Sequence, residues 1–173
     1  MGIAALCGLI ALCLGAPPAT AETTARDLQV LARALGFLDR APKGTGELGI
    51  VYPAASPAAK AEAERVAALC GDGLRAGALT LHPRLVPAEA AGQAQVAALL
   101  LTEAALPEAG QIAGALAGRG IPLIATTPAA LDGNRVVMAV RSEPRVEILV
   151  SRAAAQAAGV TFSAAFRMMI QER

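Results

Sequence analysis

Side chains with hydroxyl or carboxyl groups directly follow the apolar segments of this sequence. Five of them are candidate ligand-binding residues: Ser56, Thr102, Glu103, Thr126 and Thr127. In α/β folds, ligands bind at the carboxyl ends of parallel strands, next to free backbone N–H groups at helix N-termini. Hydroxyl groups at such positions suit a small polar or anionic ligand. The alternative is that Ser56 and Thr127 only cap helices.

The residue sets that usually carry catalysis are missing from this sequence. His82 is the only histidine, which excludes a multi-histidine metal site, and nothing in the sequence brings a nucleophile to it. No Walker loop or G-x-S-x-G elbow is present, and no G-x-G-x-x-G follows the first predicted strand. Glu103 and Asp132 are expected to be solvated loop residues rather than general acids or bases. The sequence therefore predicts a protein that is not an enzyme and has no metal or cofactor.

Cys70 is the only one of the three cysteines that lies after residue 21. A disulfide within residues 22–173 is therefore excluded, and Cys70 is expected to be a small buried apolar residue rather than a reactive thiol. A metal site shared by Cys70 and His82 would lack further ligands. His82 is expected to have a structural or surface role.

The first 21 residues have the pattern of a cleavable secretory signal. Residues 3–16 (IAALCGLIALCLGA) are almost entirely apolar, but this run is shorter than the roughly 20 residues that span a bilayer. Pro17 and Pro18 follow, and then Ala19-Thr20-Ala21 offers a cleavage site. No Lys or Arg precedes the run, and the alternatives are a buried N-terminal helix or an uncleaved anchor. The pattern predicts a signal peptide over 1–21 and an exported, periplasmic domain over 22–173.

Composition limits the classes of partner. The net charge of +1 gives no reason to expect binding to nucleic acid or to an anionic membrane. Only one Tyr, three Phe and no Trp are present, so a sugar site built on stacked aromatic rings is not expected. The core must be built from Ala, Leu, Val and Ile.

The candidate residues need a scaffold, and residues 22–125 alternate between helix and strand patterns. Helices are predicted over 24–39, 57–70 and 107–117, and buried strands over 47–52, 78–82, 95–101 and 121–125, with residues 83–92 as a connection. Ser56 and Pro57 predict the start of the second helix. Apolar strands separated by helices predict a parallel sheet covered on both faces.

The last third of the chain has a different pattern. Strands predicted over 136–140 and 145–150 are separated by so short a turn that they must pair antiparallel. Ser151 is predicted to cap a helix that ends at Gly159, and Ser163 a final helix over 164–171 with Phe166, Met169 and Ile170 on one face. The fold predicted is thus a single α/β, Rossmann-like three-layer sandwich, with a mostly parallel sheet, a C-terminal antiparallel hairpin and a terminal helix.

Both ends of the domain resemble YfiR-type periplasmic proteins. Residues 25–37 (ARDLQVLARALGF) resemble the opening helix of that family, and residues 37–42 (FLDRAP) resemble the aromatic–acid–Trp–Pro segment that follows it, without the Trp. Residues 146–154 (VEILVSRAA), then Ala158-Gly159-Val160 and Ser163, are similar to the family's closing strand and helices.

The resemblance implies a periplasmic, Rossmann-like protein without enzymatic activity. Family members bind and restrain a membrane-anchored diguanylate cyclase, so the partner implied is an inner-membrane sensor protein in cyclic di-GMP signalling. This chain lacks the four disulfide-forming cysteines of the best-known member, so the resemblance does not imply redox control.

A second resemblance implies a different function. Gln111-Ile112-Ala113, leading to Gly120-Ile121-Pro122-Leu123-Ile124-Ala125, is similar to one lobe of the solute-binding proteins of ABC-type transporters. This alternative implies a small-molecule ligand and a transporter component as partner. Because a complete solute-binding protein has two lobes, one lobe would bind as half a site or as a homodimer.

Overall fold

A computed structural model of the chain describes residues 22–41 and 43–172, so the predicted signal peptide lies outside the described residues. Its elements are, in order, α1 (Ala25–Leu35), β1 (Gly44–Tyr52), α2 (Pro57–Leu69), β2 (Leu74–Ala76), β3 (Leu79–Pro87), α3 (Ala88–Ala91), β4 (Ala98–Leu101), α4 (Ala109–Ala115), β5 (Leu123–Ala125), β6 (Met138–Arg141), β7 (Glu147–Val150), α5 (Arg152–Ala158), α6 (Ala164–Arg167) and β8 (Gln171–Glu172). Short 3₁₀ helices lie at Glu103–Glu108 and Pro128–Leu131. None of the helices within the described ranges is long and apolar enough to cross a membrane.

The strands form one sheet in the order β2-β3-β1-β4-β5-β6-β7-β8. β1 pairs in parallel with both β3 and β4, and β5 and β6 continue the parallel part of the sheet. β7 pairs antiparallel with β6, so that Met138 lies opposite Val150. The chain passes from β1 to β3 on one side and then crosses to β4 on the other. Doubly wound folds bind ligands at such a reversal of strand order.

Helices cover both faces of the sheet. On one face, α1, α2, α5 and α6 bury a core that includes Leu48, Ile50 and Leu100. On the other face, α3 and α4 bury a second core that includes Val51 and Leu99. Neighbouring residues of one strand enter opposite cores, as the alternation of side chains in a strand requires. The predicted α/β, Rossmann-like sandwich with a C-terminal antiparallel hairpin is confirmed.

Three helix starts predicted from the sequence are confirmed by their caps. The Ser163 Oγ accepts a hydrogen bond from the Phe166 amide at 3.4 Å, at the start of α6. The Ser56 Oγ accepts a hydrogen bond from the Ala59 amide at 3.2 Å, with Pro57 at the first helical position. The Ser151 Oγ accepts one from the Ala154 amide at 3.2 Å, at the start of α5. α5 ends at Gly159, whose φ of 72° is a left-handed conformation that favours glycine.

The segment between α2 and β4 differs from its prediction. The strand predicted over 78–82 continues to Pro87, and β2 pairs antiparallel with it through a turn at Gly77. The predicted connection over 83–92 is therefore strand in its first half. His82 and Arg84 are exposed and Pro83 lies between them, so the segment lacks the apolar run that marks a buried strand. Parallel pairing with β1, which runs from Leu79 to Pro87, nevertheless holds it extended, whereas β2 pairs only with residues 79–81.

Three predicted helices are shorter than expected. The helix predicted over 24–39 ends at Leu35, and the helix predicted over 107–117 is a 3₁₀ turn followed by α4. The final helix, predicted over 164–171, ends at Arg167, because the chain extends into β8 beside β7. The predicted apolar face of that helix is wrong for Met169, which is 66 % exposed.

Three of the four aromatic residues pack at the junction of the two chain ends. The Phe166 ring stacks on Phe37 at 5.0 Å between centroids and lies 5.3 Å from Phe162. Leu38 forms an antiparallel bridge with Phe162, so the segment after α1 pairs with the segment after α5. Phe166 is only 2 % exposed, and it closes the core over α1.

Candidate functional site

A cleft lies at the carboxyl ends of β4 and β5, next to the reversal of strand order. Its volume is about 540 Å³, within the range of small-molecule sites. It is lined by Glu22, Thr23, Glu62, Arg65, Val66, Ala68, Leu69, Glu103, Thr126 and Thr127. The walls therefore come from the segment before α1, from one side of α2, and from the loops that follow β4 and β5.

Three of the five predicted site residues line this cleft. Thr126 and Thr127 follow β5, and Glu103 follows β4. The Thr126 and Thr23 hydroxyls are 2.8 Å apart, and this hydrogen bond joins the segment before α1 to the end of β5. Thr127 precedes a 3₁₀ helix, but its side chain makes no capping hydrogen bond. The Thr127 hydroxyl therefore does not cap this helix, and its role as a ligand contact stays a prediction.

The other two predicted site residues stabilise the scaffold outside the cleft lining. The Thr102 side chain is 3 % exposed, and its hydroxyl donates to the Val51 carbonyl at 2.8 Å. That bond ties the end of β4 to β1. Ser56 is the N-cap of α2, as the capping alternative expected.

The contribution of α2 to the cleft was not predicted. Glu62, Arg65, Val66 and Leu69 recur at helical spacing and all line the cleft. The Glu62 Oε1 accepts a hydrogen bond from the Glu103 amide at 2.9 Å, which holds the loop after β4 against α2. The spacing of these four residues was the available signal, but only the packing of α2 shows which side of it lies at the cleft.

The cleft wall before α1 is held in place by Asp27. Thr24 and Asp27 form a capping box at the start of α1. The Asp27 carboxylate also accepts the Ser142 amide at 2.6 Å and the Thr24 hydroxyl at 2.8 Å. Burial by itself raises the pKa of Asp27, but the hydrogen bonds from Ser142 and Thr24 outweigh burial and hold that pKa below its usual value. The carboxylate thereby holds the start of α1, directly after Glu22 and Thr23, beside the residue that follows β6.

The other candidate functional residues of the sequence lie outside the lining of the cleft. Residues 44–49 (GTGELG) have the spacing of a dinucleotide-binding motif, but they lie inside β1 rather than at a turn between a strand and a helix. His82 is exposed on β3. Among residues 22–41 and 43–172, no group of three or more His, Cys, Asp or Glu side chains is arranged to hold a metal ion.

Cys70 ends α2 and is buried, as predicted. Its thiol donates to the Val66 carbonyl at 3.6 Å, and burial raises its pKa to about 11 from an ordinary value of 9.0. Because the thiolate is the reactive form, Cys70 should behave as a packing residue.

Alkylation of Cys70 by iodoacetamide at pH 8 should be slow in the folded protein. A pKa raised from 9.0 to about 11 lowers the thiolate population about 100-fold. Mass spectrometry of the peptide that carries Cys70 should show a rate at least about 100-fold below that of the urea-unfolded chain. Equal rates in the two states would contradict the burial of this thiol.

No protein-family model and no curated protein sequence matches this chain. Among solved structures, it is similar to the ABC domain from Streptococcus pneumonia in complex with L-Trp, with a TM-score of 0.57 and 12 % identity over 84 % of this chain. It is also similar to a conserved domain protein from Vibrio cholerae O1 biovar eltor, with a TM-score of 0.56 and 10 % identity over 86 % of this chain.

This chain spans only about 60 % of the length of either neighbour. At such low identity the likeness establishes the fold alone. The resemblance to solute-binding proteins and the resemblance to YfiR-type proteins both stay predictions.

Proposed function

We propose that this protein binds a small polar ligand in the cleft, without catalysis, and that it serves an ABC-type transporter. The observation that carries this proposal is the cleft itself, which brings Glu103, Thr126 and Thr127 together at the carboxyl ends of two parallel strands. The N-terminal sequence pattern supports export, so we place the protein in the periplasm.

The geometry of the cleft supports binding more than chemistry. Its walls combine hydroxyl, carboxylate and guanidinium groups with an apolar strip from Val66 to Leu69, a mixture that fixes a ligand by a few polar contacts. The Thr127 side chain makes no capping bond and is therefore available to a ligand. The first structural neighbour holds L-Trp, which is a small polar ligand of this kind.

The proposal is tested by screening the full-length chain against a metabolite library by thermal shift, followed by calorimetry on each compound that stabilises it. We expect Glu103→Gln and Thr127→Val each to weaken binding about tenfold, since hydrogen bonds to ligands contribute about 1–3 kcal/mol. The matched controls are Asp72→Asn and Thr45→Val, which alter exposed side chains away from the cleft lining. Binding that all four variants retain would exclude the cleft as the site.

A second candidate function is regulation by protein–protein contact, in which the protein restrains a membrane-anchored sensor of the diguanylate cyclase type. The observation that favours it is the pair Met168 and Met169 after α6, which are 89 % and 66 % exposed. Exposed apolar side chains of this kind occur at protein contacts.

The regulatory candidate predicts a cellular effect. Deleting the gene should raise cyclic di-GMP, and the wild-type gene should restore its level, whereas Met168→Lys with Met169→Lys should not. Restoration by this double variant, at equal protein level, would count against a contact through Met168 and Met169. An unchanged cyclic di-GMP level after deletion would exclude regulation of a diguanylate cyclase as the function.

A further inference from the structure

We infer that the ligand of the cleft is a zwitterion of the amino-acid type, with an ammonium group, a carboxylate and an apolar side chain. The inference rests on the proposed binding function and deepens it by naming the class of ligand. It comes from the charges, hydroxyl groups and apolar surface that line the cleft.

The charged side chains of the cleft are of both signs and form no ion pairs with other described residues. Three carboxylates and one guanidinium line it: Glu22, Glu62, Glu103 and Arg65. Among the ion pairs of the described residues, none involves any of these four side chains. The charged lining sums to −2, so a phosphate or a dicarboxylate would be repelled, whereas an ammonium group would be attracted.

The three carboxylates differ in whether they already accept a hydrogen bond within the protein. Glu62 accepts the Glu103 amide at 2.9 Å, so one of its oxygens is occupied. The side chains of Glu22 and Glu103 are exposed and make no hydrogen bond inside the described fold. An ammonium group between these two carboxylates would also lie near the hydroxyls of Thr126 and Thr127, which are further acceptors.

Arg65 supplies the opposite charge. It lies one turn after Glu62 on α2, on the side of the helix that lines the cleft. A guanidinium group binds a carboxylate through two parallel hydrogen bonds. A ligand with only positive charges would leave Arg65 facing a like charge, so the cleft favours a ligand that carries both.

The apolar residues of the lining offer a surface for the apolar side chain of the ligand. Val66, Ala68 and Leu69 line the cleft next to Arg65, and Leu69 is 40 % exposed. An apolar side chain placed on this strip would remove Leu69 from water. A cleft of about 540 Å³ has room for an amino acid.

The test is calorimetry on the full-length chain with the twenty amino acids, inorganic phosphate, succinate, and two single-charge analogues of leucine, isoamylamine and 4-methylpentanoate. We expect an apolar amino acid to bind at least about tenfold more tightly than either analogue, because each analogue loses one charged contact. Arg65→Gln should weaken the binding of the amino acid at least about tenfold and leave the binding of isoamylamine unchanged. Glu103→Gln should weaken the binding of both the amino acid and isoamylamine. Arg75→Gln and Asp72→Asn are matched controls, and the melting temperature of each variant verifies folding.

The outcomes separate the inference from the function on which it rests. If phosphate or succinate binds in a way that depends on Arg65, the inference that the ligand is a zwitterion is wrong, but the cleft is still a binding site. Amino-acid binding that Arg65→Gln leaves intact would also overturn the zwitterion. If no compound of this set or of the metabolite library binds in a way that depends on the cleft residues, both the inference and the proposed function fail.

Discussion

Phe166→Ala should lower the free energy of unfolding by about 3–5 kcal/mol, the usual cost of removing a buried phenylalanine ring. Phe166 is 2 % exposed and lies against both Phe37 and Phe162. The truncation would also remove the ring contacts between the segment after α1 and the segment after α5, which would then be joined by their backbone hydrogen bonds. Urea denaturation followed by circular dichroism measures the change.

Met168→Ala is the control for this prediction. Met168 lies two residues further along the chain and is 89 % exposed, so its truncation should change the free energy of unfolding by less than about 0.5 kcal/mol. Equal effects of the two substitutions would contradict the packing of the two chain ends around Phe166.

Asp27→Ala should lower the free energy of unfolding by about 2–4 kcal/mol. The substitution removes a helix cap, which costs about 1 kcal/mol, and leaves the buried Ser142 amide without an acceptor, which costs about 1–3 kcal/mol. Chemical denaturation at pH 7 measures the loss. Arg26→Ala, at an exposed neighbouring position of the same helix, should cost little.

The contribution of Asp27 should also depend on pH. Hydrogen bonds hold its pKa in the folded protein below the ordinary value of 3.8. A lowered pKa stabilises the fold fully above about pH 5, and the stabilisation is lost as the pH falls through the folded pKa. The stability difference between the wild type and Asp27→Asn should therefore shrink below about pH 4. A difference that stays constant from pH 7 to pH 2 would contradict the ionised, hydrogen-bonded state of Asp27.

The effect of Asp27 should extend to the cleft. Its hydrogen bonds to Thr24 and Ser142 hold the start of α1 against the end of β6. Thr23 and Glu22 immediately precede that point and line the cleft. We therefore expect Asp27→Asn to weaken ligand binding even where the protein is fully folded, which calorimetry at 15 °C and pH 7 can detect.

The sequence predicts the parallel sheet well because its central strands are buried on both faces and read as apolar runs. The caps at Ser56 and Ser151 are equally local signals, since each depends on a few neighbouring residues. The C-terminal hairpin follows from the short turn between β6 and β7. These features need no knowledge of distant contacts.

The features that the sequence does not predict depend on contacts between distant segments. β3 runs on through Pro83 because β1 pairs with it as far as Pro87, and α6 stops at Arg167 because β8 pairs with β7. At the cleft, the loops after β4 and β5 could be predicted from strand ends. The wall formed by α2 and by Glu22 could not, because it depends on the packing of α2 and on the bonds that Asp27 makes to Ser142.

The most direct test of the cleft is to map a bound ligand by NMR. The measurement is the change in the backbone amide signals of the ¹⁵N-labelled protein on addition of the tightest-binding compound from the metabolite screen. A ligand in the cleft should shift the amides of Glu103, Thr126 and Thr127 most strongly. Shifts concentrated instead around residues 44–46, at the amino-terminal end of β1, would contradict the assignment of the cleft as the binding site.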